Sequence, residues 1–362
     1  DVNEEWISDK TRFACDGLKR QRLDRPYVRR DGKLQAANWG EAFAAIAARL
    51  RGAAPERIAA LSGDLADAES QYALKELLAG MGVKNMDCRQ DGALLDPSSR
   101  ASYLFNSTIA GIDQADAILL IGTDPRREAP IVNSRIRRRW LTGALKVASI
   151  GPALQPTYAV SELGAAPSLL QGFVDGSAAF AATLKSAKRP MIVLGMGALA
   201  REDGAAILAL ARKAAEACNV VREDWNGFNV LHTAAGRVGG LEAGFVPGPG
   251  GLDRNGILAA AEAGRLDVVY LLGADEIDMA RLGKAFVVYQ GHHGDAGAHR
   301  ADVVLPGAAY TEKDAIYVNT EGRVQMARRA VQPPGEARED WAIVRALSDA
   351  LDRRLPFDTL AQ

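Results

Sequence analysis

The sequence predicts an α/β protein: parallel sheets flanked by helices, in two units with one inserted in the other. Three observations predict it. Short apolar runs bounded by Gly, Asp and Pro alternate with Ala-rich helical stretches, as βαβ units do. The 362 residues exceed what one hydrophobic core usually serves, and 48% are hydrophobic with only 6% aromatic. Two segments echo each other, "DAILLIGTDP" and "DVVYLLGADE": an Asp, an apolar run, then Gly-[Thr/Ala]-Asp, so each expects its own sheet and its own strand-end loop.

In chain order, strands are expected at 57–61 (RIAAL), 116–122 (DAILLIG), 145–150 (LKVASI), 190–195 (PMIVLG), 267–273 (DVVYLLG) and 285–290 (AFVVYQ). Helices are expected near 39–50, 67–80, 127–140, 203–217 and 338–353. The first starts at Asn38, with Glu41 three residues on to complete a capping box. The Gly- and Pro-rich stretch 236–256 is expected to be neither helix nor strand but a long ordered crossover loop. The domain boundaries that follow are a connecting segment at 1–36, an outer α/β domain from 37–88 and 223–362, and an inserted one at 89–222.

The formal charge of -1 gives no global field for nucleic acid or an anionic membrane. Cys15, Cys88 and Cys218 are scattered, without CxxC pairing, and do not by themselves ligate an iron–sulfur cluster or build a disulfide framework. Apolar runs are strand-length, too short to span a bilayer. The polar opening DVNEEWISDK lacks an initiator Met, and a soluble piece of a longer chain is expected.

A strand that stops at Gly122 and turns through Thr123 and Asp124 into a helix is where open α/β sheets place phosphates. Rival chemistry is suggested elsewhere. "GMGALA" (195–200) satisfies G-x-G-x-x-[G/A], with Glu223 or Asp224 available to a ribose hydroxyl; its bland counterpart is a turn whose glycines serve packing. "GHHGDAGAH" gathers His292, His293, Asp295 and His299 as zinc or iron ligands, against hydrogen-bonded loop histidines. "SRIRRRW" puts Arg135, Arg137, Arg138 and Arg139 on one helix, which suits a protein partner better than nucleic acid.

With "GTDPRREAPIVNSRIRRR" and "HHGDAGAHRADVVLPGAAYTEKDAIYVNTEGRVQ" (292–325), the chain resembles the molybdopterin oxidoreductase superfamily. More narrowly it resembles the family of large G subunits of respiratory complex I, the proton-pumping NADH:quinone oxidoreductase (the 75 kDa subunit in mitochondria). The opening "NEEWISDKTRFACDGLKRQRL" is similar to the stretch that follows that family's iron–sulfur domain. Ala301 to Pro306, Glu312, Asn319 and Glu321 to Gln325 match the scaffold that cradles a bis-pterin guanine dinucleotide in the wider superfamily.

The departures carry as much as the matches. Active members place a selenocysteine, cysteine or serine metal ligand a few residues after the strand corresponding to "NMDC"; here Ala93 and Leu94 stand there, with Ser98 and Ser99 as a displaced serine alternative. Where active members read Asp-Pro-Arg, whose acid holds a guanine, this chain has Ile150 and Gly151. The resemblance therefore implies no catalytic residue, no metal and no cofactor in this chain, with Gly122, Thr123 and Asp124 a vestigial strand-end loop. It implies 2Fe-2S and 4Fe-4S clusters elsewhere in the full-length subunit. The expected partners are the other peripheral-arm subunits of complex I, including the NADH/flavin-binding one, with no nucleic acid and no membrane span. The expected place is the cytoplasmic side of the inner membrane, or the matrix side in mitochondria. The alternative is an active molybdenum or tungsten pterin oxidoreductase of the formate dehydrogenase kind.

Overall fold

A computed structural model describes residues 5–362. The described residues divide into two compact units, one comprising 5–14, 93–233 and 320–323, the other 15–92, 234–319 and 324–362.

The second unit is built on a seven-stranded sheet of order β2-β1-β14-β13-β12-β3-β4. Its strands are β1 (Tyr27–Arg30), β2 (Lys33–Ala36), β3 (Ile58–Ser62), β4 (Asn85–Asp87), β12 (Val268–Leu272), β13 (Phe286–Gly291) and β14 (Val303–Pro306). From β4 through β3, β12 and β13 to β14 every pairing is parallel. β3 and β12 are buried at every position because helices cover both faces, so their sequences run apolar without alternation. One face packs Leu61, Val269, Leu271 and Val287 against Ile257 and Leu258 of the helix Arg254–Glu262.

Helix Trp39–Gly52 begins with a complete capping box: the Glu41 N–H donates to Asn38 Oδ1 (2.9 Å) and the Asn38 N–H to Glu41 Oε2 (3.0 Å). Residues 27–36 form an edge hairpin whose Asp31 and Gly32 both have positive φ (52° and 75°), as a primed two-residue turn requires.

The other unit carries a five-stranded, wholly parallel sheet of order β11-β8-β5-β6-β7. Its strands are β5 (Ala117–Ile121), β6 (Lys146–Ile150), β7 (Ser161–Glu162), β8 (Pro190–Gly195) and β11 (Phe228–Leu231). Two small antiparallel ribbons complete the strands: β9 (Val221–Arg222) with β10 (Trp225–Asn226), and β15 (Ala315–Val318) with β16 (Val324–Ala327). The echoing segments thus lie in separate sheets, and each strand ends in a left-handed glycine, Gly122 (φ +57°) and Gly273 (φ +60°).

Two local expectations need correction. Stretch 236–256 is not all loop: Arg237–Ala243 is a helix, and Arg254 opens another. Gly240 is there for close packing, since a Cβ on it would stand 2.2 Å from Gln71 Oε1 and 2.6 Å from Cys88 Cβ. The expected helix at 127–140 is two, Pro125–Glu128 and Pro130–Leu141, broken at Ala129 because the residue before a proline is pushed out of helical backbone. Among the described residues no helix is long and apolar enough to cross a membrane.

Candidate functional site

In an open α/β sheet, ligands settle at the carboxyl ends of the strands where the strand order reverses. In the seven-stranded sheet β3 leads on to β4 on one side and β12 to β13 on the other, so the reversal lies between β3 and β12. A crevice of about 300 Å³ opens there, with Asp64 following β3, Gly273 and Asp275 following β12, and Gln290 at the end of β13. The strand ends lie so close that the Gly63 N–H donates to Leu272 O (2.8 Å), and a Cβ on Gly63 would meet Gly273 O at 1.9 Å.

The crevice contains a buried ammonium. Lys313 Nζ lies 2.5 Å from Asp67 Oδ2 and 2.6 Å from Asp340 Oδ2. Asp67 reaches it as the N-cap of helix Ala68–Gly80, where its Oδ1 accepts the Ser70 N–H (2.7 Å). Asp340 accepts from Gln290 Nε2 (3.0 Å), and Gln290 Oε1 in turn accepts from the Tyr270 hydroxyl (2.6 Å). Burial opposes all three charges, but the two carboxylates hold Lys313 well above its ordinary value, and Lys313 with Ser70 holds Asp67 below its own. For Asp340 burial wins, and its carboxyl is raised.

The rim is acidic. Burial, then the charge of Asp295, raises Asp275; burial, then Asp64 and Asp275, raises Glu276; burial also raises Asp64. His292 is pushed down to about 3, first by burial and then by His293, Lys313 and Arg22. Arg22 clamps this loop, donating to Glu312 through both terminal nitrogens (2.6 Å each) and through Nε to His292 O (3.0 Å). His293 Nε2 pairs with Gly17 O (3.0 Å), and His292 and His293 touch through their Nδ1 atoms. His299 is exposed, at the end of helix Ala296–Arg300. No trio of His, Cys, Asp or Glu among the described residues is arranged to hold a metal.

In the five-stranded sheet the strand order reverses between β5 and β8, at Gly122–Asp124 and the start of "GMGALA". Here the strand ends are packed shut. A Cβ on Gly195 would stand 2.4 Å from Thr123 Cβ, on Gly197 2.7 Å from Gly122 O, and on Gly122 2.6 Å from Ala198 N. Beside them a cavity of about 480 Å³ lies over the ends of β5 and β6, lined by Thr123, Asp124, Glu128, Ile150 and Gly151. Its donors are already taken by acids of the same turn: Glu128 accepts from the Asp124 N–H (2.9 Å) and the Thr123 hydroxyl (2.7 Å), and Asp124 accepts from the Arg126 N–H (3.2 Å).

Neither the ligand position nor this turn fits a metal-bound pterin dinucleotide. Ala93 offers only a buried methyl, and the Leu94 N–H donates to Leu199 O (2.8 Å). Ser98 Oγ donates to Asp96 Oδ1 (2.5 Å), while Asp96 also pairs with Arg212 (3.0 Å). A phosphate at Thr123–Asp124 would meet two carboxylates where it needs free N–H groups. Of the matched scaffold residues, Ala301 precedes β14, which holds Val303 to Pro306, Glu312 pairs with Arg22, and Glu321 Oε2 accepts the Ile109 N–H (2.7 Å). The arginine-rich helix is held by Asp113, which pairs with Arg135 (2.8 Å) and Arg138 (3.0 Å); Arg139 donates to Ala115 O (2.7 Å).

Sequence reasoning reached Gly122–Asp124 because those residues are consecutive. It reached one wall of the crevice of the seven-stranded sheet through His292, His293 and Asp295 of "GHHGDAGAH" and touched another through the echo "GADE", but it missed the buried centre, because Asp67, Lys313 and Asp340 meet only through the fold.

Residues 22–350 match the family model for molybdopterin oxidoreductase, and residues 1–16 match that for the NADH-ubiquinone oxidoreductase NDSU1/NuoG-like 4Fe-4S domain. The G subunit of the NADH-quinone oxidoreductase of Rickettsia bellii is 48% identical over 351 residues, which are 97% of this chain and 50% of that protein. Its counterpart in Rickettsia felis is 46% identical over 362 residues, 100% of this chain and 52% of that one. The chain thus spans about half the length of these curated relatives. Acetylene hydratase from Pelobacter acetylenicus shares the fold with a TM-score of 0.71 at 13% identity, over 96% of this chain and 64% of its own. A chain of the formyltransferase/hydrolase complex from Methylorubrum extorquens does so with a TM-score of 0.67 at 19% identity, over 90% and 98%.

Proposed function

The chain belongs to the molybdopterin oxidoreductase family, and from that premise we propose that it is a cofactor-free scaffold, the later half of the G subunit of a proton-pumping NADH:quinone oxidoreductase. The relatives named above and the iron–sulfur match at residues 1–16 support placement behind a domain that holds 2Fe-2S and 4Fe-4S clusters. In that assembly electrons pass from NADH through flavin and clusters to quinone. This chain's residues contribute rigid surface that fixes cluster spacing and meets the other peripheral-arm subunits, the NADH/flavin-binding one included. It sits on the cytoplasmic face of the membrane, or the matrix face in a mitochondrion, without crossing it.

The observation that carries the cofactor-free part is Glu128. Its carboxylate takes the Thr123 hydroxyl and the Asp124 N–H, and the Gly122 N–H is spent on Ile150 O, so the place where this fold class binds phosphate already holds an anion of its own. Gly122, Thr123 and Asp124 are then a turn retained for packing. The test is metal content by mass spectrometry alongside fluorescence of acid-released pterin. No molybdenum or tungsten is expected; either metal near one per chain, with guanine nucleotide, would overturn the scaffold reading in favour of an active pterin oxidoreductase.

A further inference from the structure

The unit of the seven-stranded sheet carries a second, smaller concavity that shares no lining residue with the strand-end crevice. Glu69 and Tyr72 stand three residues apart on helix Ala68–Gly80, so they share one of its faces. Trp341 lies in the first turn of helix Asp340–Ala350, and Phe357 and Leu360 come from the irregular stretch that follows it. These five residues line a pocket of about 110 Å³. Tyr72 and Phe357 make one continuous aromatic wall, with ring centroids 6.4 Å apart and planes inclined by 38°. Tyr72 is 46% exposed, so its ring is open to a visitor. The Trp341 indole N–H is spent on Glu339 Oε2 (2.9 Å), which leaves the pocket the ring's π surface and C–H edge.

The charges beside this wall are a second, independent observation. Glu69 has its carboxylate oxygens 3.0 and 2.9 Å from the Ile316 N–H of β15, and among the described residues no cation pairs with it. Burial raises its carboxyl even against that hydrogen bond. The neighbouring bases are already matched: Lys75 with Glu76, Arg345 with Asp349 and Asp358, and Arg354 with Asp358. Lys313 is taken by Asp67 and Asp340. Tyr72 already attracts an ammonium, since Lys75 Nζ lies 5.5 Å from its ring centroid without lining the pocket.

We propose that this pocket binds a methylated ammonium group, with the rings of Tyr72, Trp341 and Phe357 as its walls and Glu69 as its counter-charge. Aromatic faces attract such a cation through the ring quadrupole, and Glu69 acts on it through a largely apolar wall, where its charge is poorly screened. A plain ammonium has three N–H donors to satisfy and the rings accept none of them well; N-methyl groups remove that demand and keep the charge. A purely apolar group fits the walls but takes more water from Glu69 without answering it. An anion meets that carboxylate with no spare cation to receive it. One carboxylate does not make a metal site. No residue of the Gly122–Asp124 turn takes part, so the inference stands apart from the cofactor-free reading.

The shared chemistry has two sources, a free quaternary amine and a methylated lysine on a protein partner. Choline represents the first and acetyl-Gly-trimethyllysyl-Gly-amide the second; 3,3-dimethylbutanol, the neutral isostere of choline, and the unmethylated peptide are the controls. Calorimetry and saturation-transfer NMR on the intact protein read all four. Saturable binding of choline, of the trimethylated peptide or of both is expected, and the tighter one identifies the source. The N-methyl resonance of the bound probe should move upfield, because it lies against ring faces. Affinity should fall about tenfold in Glu69→Gln, which keeps an acceptor for the Ile316 N–H, and several-fold in Phe357→Leu, which lies outside any helix or strand. If Glu69→Gln fails to fold, the Phe357→Leu comparison decides. Lack of saturation by both cations up to ~10 mM overturns the proposal. So does binding of the neutral isostere or of the unmethylated peptide as tightly as its methylated cation, or unchanged affinity in the folded variants.

Discussion

Lys313 shows how one side chain can organise a site without doing chemistry. A lone buried ammonium is strongly disfavoured, and removing one partner of a buried pair costs about 3–5 kcal/mol, so Asp67, Lys313 and Asp340 have to be read together. The trio ties the cap of helix Ala68–Gly80 to the first residue of helix Asp340–Ala350. His292 makes a residue-scale prediction. Its folded value of about 3 lies below the ordinary ~6.5 of an unfolded histidine, so between those values the unfolded chain takes up a proton that the folded one refuses. Its contribution to stability is intact above about 6.5 and lost progressively as the pH falls toward 3, with a slope of at most ~1.4 kcal/mol per unit. His292→Gln should remove that slope, so wild-type stability minus variant stability, from urea titrations at stepped pH, should fall on acidification. A flat difference would show that His292 does not titrate abnormally.

At the scale of elements, glycine decides several outcomes, and the same substitution should act with opposite signs at two of them. Gly195→Ala would drive a methyl to 2.4 Å from Thr123 Cβ and 2.8 Å from Gly122 O, so β8 and its turn must shift, a loss of roughly 1–3 kcal/mol. Gly52→Ala, at the end of helix Trp39–Gly52, meets nothing within 4 Å and should raise stability by about 0.5–1 kcal/mol through helix propensity and the unfolded chain. Thermal unfolding of the two variants checks both signs, and destabilisation of both would refute the packing argument. The same residues explain what the sequence showed. β3, β5, β8, β12 and β13 were legible because strands buried on both faces must be apolar throughout. Helix Arg237–Ala243 was not, because Gly239 and Gly240 weaken helix propensity, and Gly240 is justified only by neighbours, Gln71 and Cys88, that propensity ignores. The hairpin at 27–36 was missed although Asp31-Gly32 is a strong turn signal, since edge strands YVRR and KLQA are too polar to look like a core.

At the scale of the whole molecule, the echo of "DAILLIGTDP" and "DVVYLLGADE" already told of two sheets, because it repeats local chemistry: an apolar strand and a left-handed glycine. Long-range joins have no such trace, and Thr320–Arg323 is one: it belongs to the five-stranded unit although the chain on either side of it belongs to the other. Thr320 O accepts the Phe105 N–H (2.8 Å), while its hydroxyl donates to Val230 O (3.0 Å) and accepts the His232 N–H (3.3 Å). Thr320→Val keeps the shape and deletes the hydroxyl, leaving two backbone groups at the end of β11 without that partner, a cost of roughly 1–3 kcal/mol. Because those groups lie in one unit, the cost should be local. Amide hydrogen exchange should quicken at residues 228–232 and around Phe105, while β12 and β13 keep their wild-type protection. Equal acceleration in both sheets would mean that they open as one cooperative body, and the division into two units would then describe geometry but not stability.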